Sequence, residues 1–142
     1  MIRNSSTRSS RPRRLRDKAT DKAERRHLSE IALAELRTAT EIPLRIADAC
    51  LKVSEKGLVV FDLGFKAARG DSGVAISSAL AGVSGSLSII YLNLTSFKGG
   101  EWAIGVRQKA DEISLRVQAL QVQLLERVAR LQAEAVAREA QG

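Results

Sequence analysis

Twenty-six consecutive residues, Ser72 to Phe97, carry no charge in a chain of 142 residues of which 27% are charged. As an α-helix such a run is ~39 Å long at about 1.5 Å per residue. A helix with no charged side has no face made for water, so other helices or a bilayer must surround it. The run is built largely from Gly, Ala and Ser with Leu, Ile and Val between them, and it holds Asn93 near its far end. Hydroxyls and a carboxamide suit hydrocarbon poorly, and no belt of Trp and Tyr flanks the run at both ends. The reading is therefore the central helix of an all-α bundle, with no membrane. Ala75, Ala79, Gly82 and Ser86, spaced by three or four, offer a shallow groove to a neighbour. Asp71 and Ser72 stand where a side-chain oxygen caps a helix start. Lys98-Gly99-Gly100 breaks the helix after about Phe97.

The flanking segments also follow a helical period. From Asp17, the series Leu28, Ile31, Ala32, Leu36 and Ala39 marks one apolar face and predicts a first helix over 17–41. Pro43 divides it from a second helix over 43–56, because the residue before proline avoids the α conformation and proline suits a first turn. Gly57 ends that second helix. Residues 58–69 read as a short third helix closed by Gly70. The last helix starts near Glu101 and runs to about Arg138, carrying Ile113, Val117, Leu120, Leu124, Val128 and Leu131 as its stripe. The expectation is one domain, a bundle of about five helices with a central small-residue helix and a long C-terminal helix. Strands are not expected at 44% hydrophobic and 4% aromatic content.

The net charge of +7 is unevenly placed. Arg3, Arg8, Arg11, Arg13, Arg14 and Arg16 crowd the first sixteen residues, and without those six the remaining 17 basic residues face 16 acidic ones, a net of +1. Residues 1–16 read as a disordered basic tail, serving as a solvated extension, an anion-binding arm or a targeting peptide. Without interleaved aromatics or a known nucleic-acid fold, no specific nucleic-acid partner is expected. No apolar stretch of secretory type follows the positive start. The single cysteine, Cys50, excludes an internal disulfide and fits a reducing cytoplasm, where it reads as an inert, buried thiol. The single histidine, His27, lies among Arg25, Arg26 and Glu30 and reads as a surface residue with no metal-site companions.

Taken in order, the segments resemble the cyclodeaminase/cyclohydrolase family of folate enzymes. That family includes the cyclodeaminase part of formimidoyltransferase-cyclodeaminase and bacterial methenyltetrahydrofolate cyclohydrolases. K-A-T-D-K-A-E-R-R is similar to the polar start of a family helix, and A-T-E-I-P-L-R-I-A-D-A-C to its A-x-x-x-P-L-x-x-A element. R-G-D-S-G-V-A is similar to its S-D-x-x-V-A turn, and I-I-Y-L-N-L to its V-x-x-N-L ending. The similarity covers about residues 17–138 and makes 17–142 an incomplete family domain. The family's opening Pro-Gly-Gly-Gly-like turn and acid-bearing segment have no counterpart, and Ala67 and Ala68 stand where the family tends to have an amide residue.

The resemblance implies opening or closing of the methenyl bridge of tetrahydrofolate, by cyclohydrolase or cyclodeaminase chemistry. Proton transfers around an amidinium-like cation are work for a positioned carboxylate. It therefore implies Asp71 as the catalytic group, with Asn93, Ser72 and Lys66 as substrate-binding residues. A tetrahydrofolate derivative is the expected substrate, with no metal and no covalently bound cofactor. Two plainer roles stand beside these, Asp71 as an N-cap and Asn93 as a satisfied buried amide. The rival function is a non-catalytic helical module that dimerises through the small-residue face and the final stripe, and a homodimer is expected on either reading.

Overall fold

The computed structural model of the protein describes residues 5–19 and 21–142. Its helices are α1 (Ser5–Lys18), α2 (Lys22–Leu63), α3 (Arg69–Leu94) and α4 (Glu101–Glu139), with a 3-10 turn at Lys66–Ala68 and no strand among the described residues. The class is all-α as expected, with four α-helices rather than five. The expected break at Pro43, the stop at Gly57 and the separate helix over 58–69 are all absent, since α2 runs unbroken through them. Its buried positions are Ala32, Leu36, Thr40, Pro43, Ala47, Leu51, Ser54, Leu58 and Phe61, stepping by three or four on both sides of the proline. An interior proline costs a helix about 3 kcal/mol, and burial of that continuous stripe outweighs it. Gly57 is kept for closeness: a Cβ there would lie 2.6 Å from Ile76 Cγ1 on α3.

The two helix starts also differ from expectation. The first long helix begins at Lys22 and not at Asp17, because the Asp21 carboxylate accepts from Glu24 N–H at 3.2 Å and caps it. The N-cap of α3 is Ala68, without a side-chain cap, which moves Asp71 into the first turn and replaces the expected Asp71–Ser72 cap. Ser72 turns its hydroxyl the other way and donates to Ala68 O at 3.0 Å. The helix ends at Leu94, short of Phe97. The glycine break follows as expected, with φ of 104° at both Gly99 and Gly100. The basic start, expected to be disordered, is helical from Ser5 as α1; its residues 1–4 lie outside the described residues. Buried Pro12 and Ala19 tie α1 down, and Arg25 Nη2 donates to Ala19 O at 2.8 Å across the turn into α2.

The core lies where α2, α3 and α4 pack together, with Leu51, Ile76, Val83 and Ile90 among its largest fully buried side chains. The α4 stripe supplies Ile113, Val117, Leu120 and Leu124 to it as expected, whereas Val128 is exposed. By length and composition the stretch Lys66–Leu94 also suffices to cross a membrane, with a mean hydropathy of 1.6 and 39% of that window buried within the fold.

An ionic ladder fastens α4 along the other helices. Glu55 pairs with Arg116, Asp62 with Arg127 and Arg130, and Arg69 with Glu134, so the residues on the near side recur at every seventh position. The Arg127 guanidinium holds the Asp62 carboxyl below its ordinary value, and Arg69 does the same for Glu134. A lowered carboxylate stabilises the fold fully above its unfolded value and loses that contribution as pH falls through the folded one. Thermal melts followed by circular dichroism should therefore hold their midpoint from neutral pH down to about 5 and fall below about pH 4. The drop should be smaller in high salt, which screens exposed pairs.

Candidate functional site

The turn between α2 and α3 gathers three of the four residues singled out by sequence. Lys66 lies in the 3-10 turn, Asp71 in the first turn of α3 and Ser72 beside it; Lys66 and Asp71 are exposed and Ser72 is half-buried. The α3 dipole favours a carboxylate at Asp71, because its first turn presents unpaired N–H groups. A groove of about 360 Å³ opens beside this turn, floored by Phe61, Leu124 and Leu131 and walled by Gly70, Gly73, Ser77 and Ser78. Arg69 stands at its edge, held by a two-pronged bond to Glu134 with Nη1···Oε1 of 2.9 Å and Nη2···Oε2 of 2.7 Å. That fork fixes the guanidinium and satisfies much of its charge. Asp71 does not line the groove. At 100° per residue it projects from the other side of the α3 turn than Gly73.

Asn93 sits at the opposite end of α3, ~33 Å from Asp71 at 1.5 Å per residue. Its Nδ2 donates to Thr40 Oγ1 at 3.1 Å, and the Thr40 hydroxyl donates in turn to Leu36 O at 2.7 Å. Within one copy the two ends of α3 cannot grip the same small molecule. At the Asn93 end, Phe97 and Trp102 pack with ring centroids 5.0 Å apart, and the Arg37 guanidinium covers the Trp102 ring at 5.3 Å. Further along α3, Tyr91 donates from its hydroxyl to Asp111 Oδ1 at 2.7 Å, and burial together with that carboxylate pushes the phenol up to about 12.

Two acids escaped the sequence reading. Glu35 is half-buried with Oε2 shielded from water and unpartnered among the described residues, and it lies five residues before Thr40 on α2. Buried carboxylate oxygens seldom go unpaired. Its only sequence signal is an acid next to the apolar positions Ile31, Ala32 and Leu36. Glu134 holds Arg69 from 65 residues away, which no local pattern signals. His27 is on the surface as expected. Cys50 is half-buried against the core, and its Sγ would lie 3.0 Å from a Cβ placed at Gly82. No cluster of His, Cys, Asp and Glu with metal-binding geometry occurs among the described residues.

Comparison with known proteins gives one result. The model of the family described as formiminotransferase-cyclodeaminase matches residues 13–112, from α1 to the first third of α4. No curated protein and no solved structure matches the chain.

Proposed function

This chain belongs to the formiminotransferase-cyclodeaminase family, and we propose that it opens or closes the one-carbon bridge between N5 and N10 of tetrahydrofolate. The observation that carries the reading is the match over residues 13–112, which contains Lys66, Asp71, Ser72 and Asn93. In the opening direction water adds to the cationic methenyl carbon as Asp71 takes one of its protons, and the N5–carbon bond then breaks as the new hydroxyl gives up its proton and N5 gains one, which leaves the formyl group on N10. In the closing direction N10 attacks the carbon of a formimidoyl group on N5, Asp71 takes the N10 proton, and the C–NH2 bond breaks as that proton passes to the departing ammonia. An exposed carboxylate at a helix start is suited to this work, since its charge attracts the cationic substrate.

Lys66 would face the glutamate carboxylates of the substrate and Ser72 would supply a hydroxyl beside the bridge, whereas Asn93, tied to Thr40 at the far end of α3, would stand outside that site. The chemistry moves protons and one carbon without electron transfer, so neither a metal nor a covalent cofactor is assigned. A reducing cytoplasm is the proposed setting, in keeping with one unpaired cysteine. The second reading, a helical assembly module without catalysis, draws support from exposed Leu63, Phe65, Val74 and Leu92, each at least 67% accessible. Equilibrium dialysis of the full chain against 5-formyltetrahydrofolate separates the two. Saturable binding to the purified protein is expected, and no binding by a folded protein would favour the assembly module.

A further inference from the structure

The most basic stretch of the chain is also an ordered helix. Between Arg11 and Lys18 of α1, the five cations Arg11, Arg13, Arg14, Arg16 and Lys18 face one acid, Asp17, which Arg16 already holds at 2.9 and 2.8 Å. Arg11, Arg14 and Lys18 are exposed and, at steps of three and four, share one flank of the helix. Burial of Pro12 and Ala19 fixes α1 against α2, so these cations are carried on an ordered backbone and cost less to organise around a partner. Past the turn the balance returns, since Lys22, Arg25 and Arg26 stand beside Asp21, Glu24 and Glu30. The surplus belongs to α1.

The aromatic residues missing from this run in sequence are brought to it by the fold. Arg13 Nη2 donates to Ser96 Oγ at 3.4 Å, across 83 residues, in the loop between α3 and α4. Next to Ser96 is Phe97, whose ring packs on Trp102, and the exposed Arg37 guanidinium covers Trp102 in turn. Both rings are half-buried and keep part of their surface open, and Lys98 is exposed beside them. We propose that α1 and this loop form one site for single-stranded nucleic acid of any sequence, with phosphates on Arg11, Arg13, Arg14 and Lys18 and an unpaired base stacked against Phe97, Trp102 or Arg37.

The chemistry favours this partner over other polyanions. A guanidinium meets phosphate with two parallel bonds and also stacks on flat rings, and four of the five cations are arginine. From Arg11 to Lys18 the charges spread over ~10 Å at about 1.5 Å per residue, which suits a string of phosphates better than one small anion. A membrane surface would need an apolar face beside the charges, and Leu15 is the one exposed apolar side chain between Arg11 and Lys18. An acidic peptide would use the charges but leave the ring pair idle. In a duplex the bases are already stacked on one another, which leaves the rings to unpaired bases. The site lies at the end of α3 opposite Asp71 and does not depend on the folate reading.

Fluorescence anisotropy of the full chain with a labelled oligothymidine of about twenty nucleotides tests the site. Four phosphate contacts, at roughly −0.7 each on a single strand, predict a slope of about −3 for log K against log salt. Arg11→Gln with Arg14→Gln should flatten the slope by about 1.4 and weaken binding at least tenfold. Arg45→Gln with Lys56→Gln on α2, the same loss of charge, should leave both unchanged. Trp102→Leu, which keeps an apolar side chain in the packing, should weaken binding about tenfold at an unchanged slope through the loss of one stacked base. Trp102 is the one tryptophan of the chain, so oligothymidine should also quench the indole emission, and an abasic strand of equal charge should not. No binding by the wild type, equal weakening by the α2 and α1 pairs, an emission indifferent to oligothymidine, or equal competition by poly-glutamate or phosphatidylserine vesicles would each overturn the proposal.

Discussion

Replacing Gly57 by leucine should lower unfolding stability by about 3 kcal/mol, the upper part of the usual range for overpacking a filled core. Even a Cβ at this position would sit 2.6 Å from Ile76 Cγ1, and Ile76 is fully buried with no room to retreat. The added leucine must then push α3 away along the most extensive helix contact in the molecule. For alanine the same clash is partly offset by a gain of about 1 kcal/mol in helix propensity. The two variants therefore grade the effect, with Gly57→Ala mildly and Gly57→Leu severely destabilised. Set against a total of about 5–15 kcal/mol, the leucine loss is large and should move the urea midpoint well below that of wild type. An unchanged midpoint would mean that α2 and α3 do not cross at Gly57.

Asp71→Asn carries the largest expected effect on function. The amide keeps the shape of the carboxylate but can neither take a proton from water nor attract a cationic bridge. Loss of a positioned acid–base group costs about 10²–10⁴ in rate. The stability cost should stay below about 1 kcal/mol, because an exposed first-turn acid contributes only its interaction with the helix dipole. The expected signature is a collapse in kcat with little change in melting temperature, read from substrate turnover and thermal unfolding of the same preparation. Turnover equal to wild type would reduce Asp71 to a dipole partner.

Much of this architecture was readable where the signal is local. The uncharged run, the Lys98-Gly99-Gly100 break and the long α4 with its stripe through Leu124 all follow from short-range spacing and glycine conformation. Pro43 and Gly57 misled because punctuation rules weigh a residue against its own helix and ignore what the helix packs on. The stripe from Ala32 to Phe61 keeps its three-and-four steps through both residues, and packing on that stripe overrides the local preference. At α3 the rule placing a cap on Asp71 failed by three residues, since the 3-10 turn supplies the first carbonyls and Ala68 takes the cap position.

For the site, the neighbours Lys66, Asp71 and Ser72 are close in sequence and so were readable as a group. The Arg69–Glu134 fork, the buried Glu35 oxygen and the tie between Asn93 and Thr40 depend on helices meeting across long sequence separations. The structure also parts Asn93 from Asp71 by the length of α3, which the sequence alone could not weigh.

The most direct measurement of the central claim is the absorbance of 5,10-methenyltetrahydrofolate with purified protein, followed against buffer alone. The account predicts decay faster than buffer, proportional to protein concentration. A protein shown by circular dichroism to be helical that leaves the buffer rate unchanged, and that also fails to form the methenyl chromophore from formimidoyltetrahydrofolate, would contradict it.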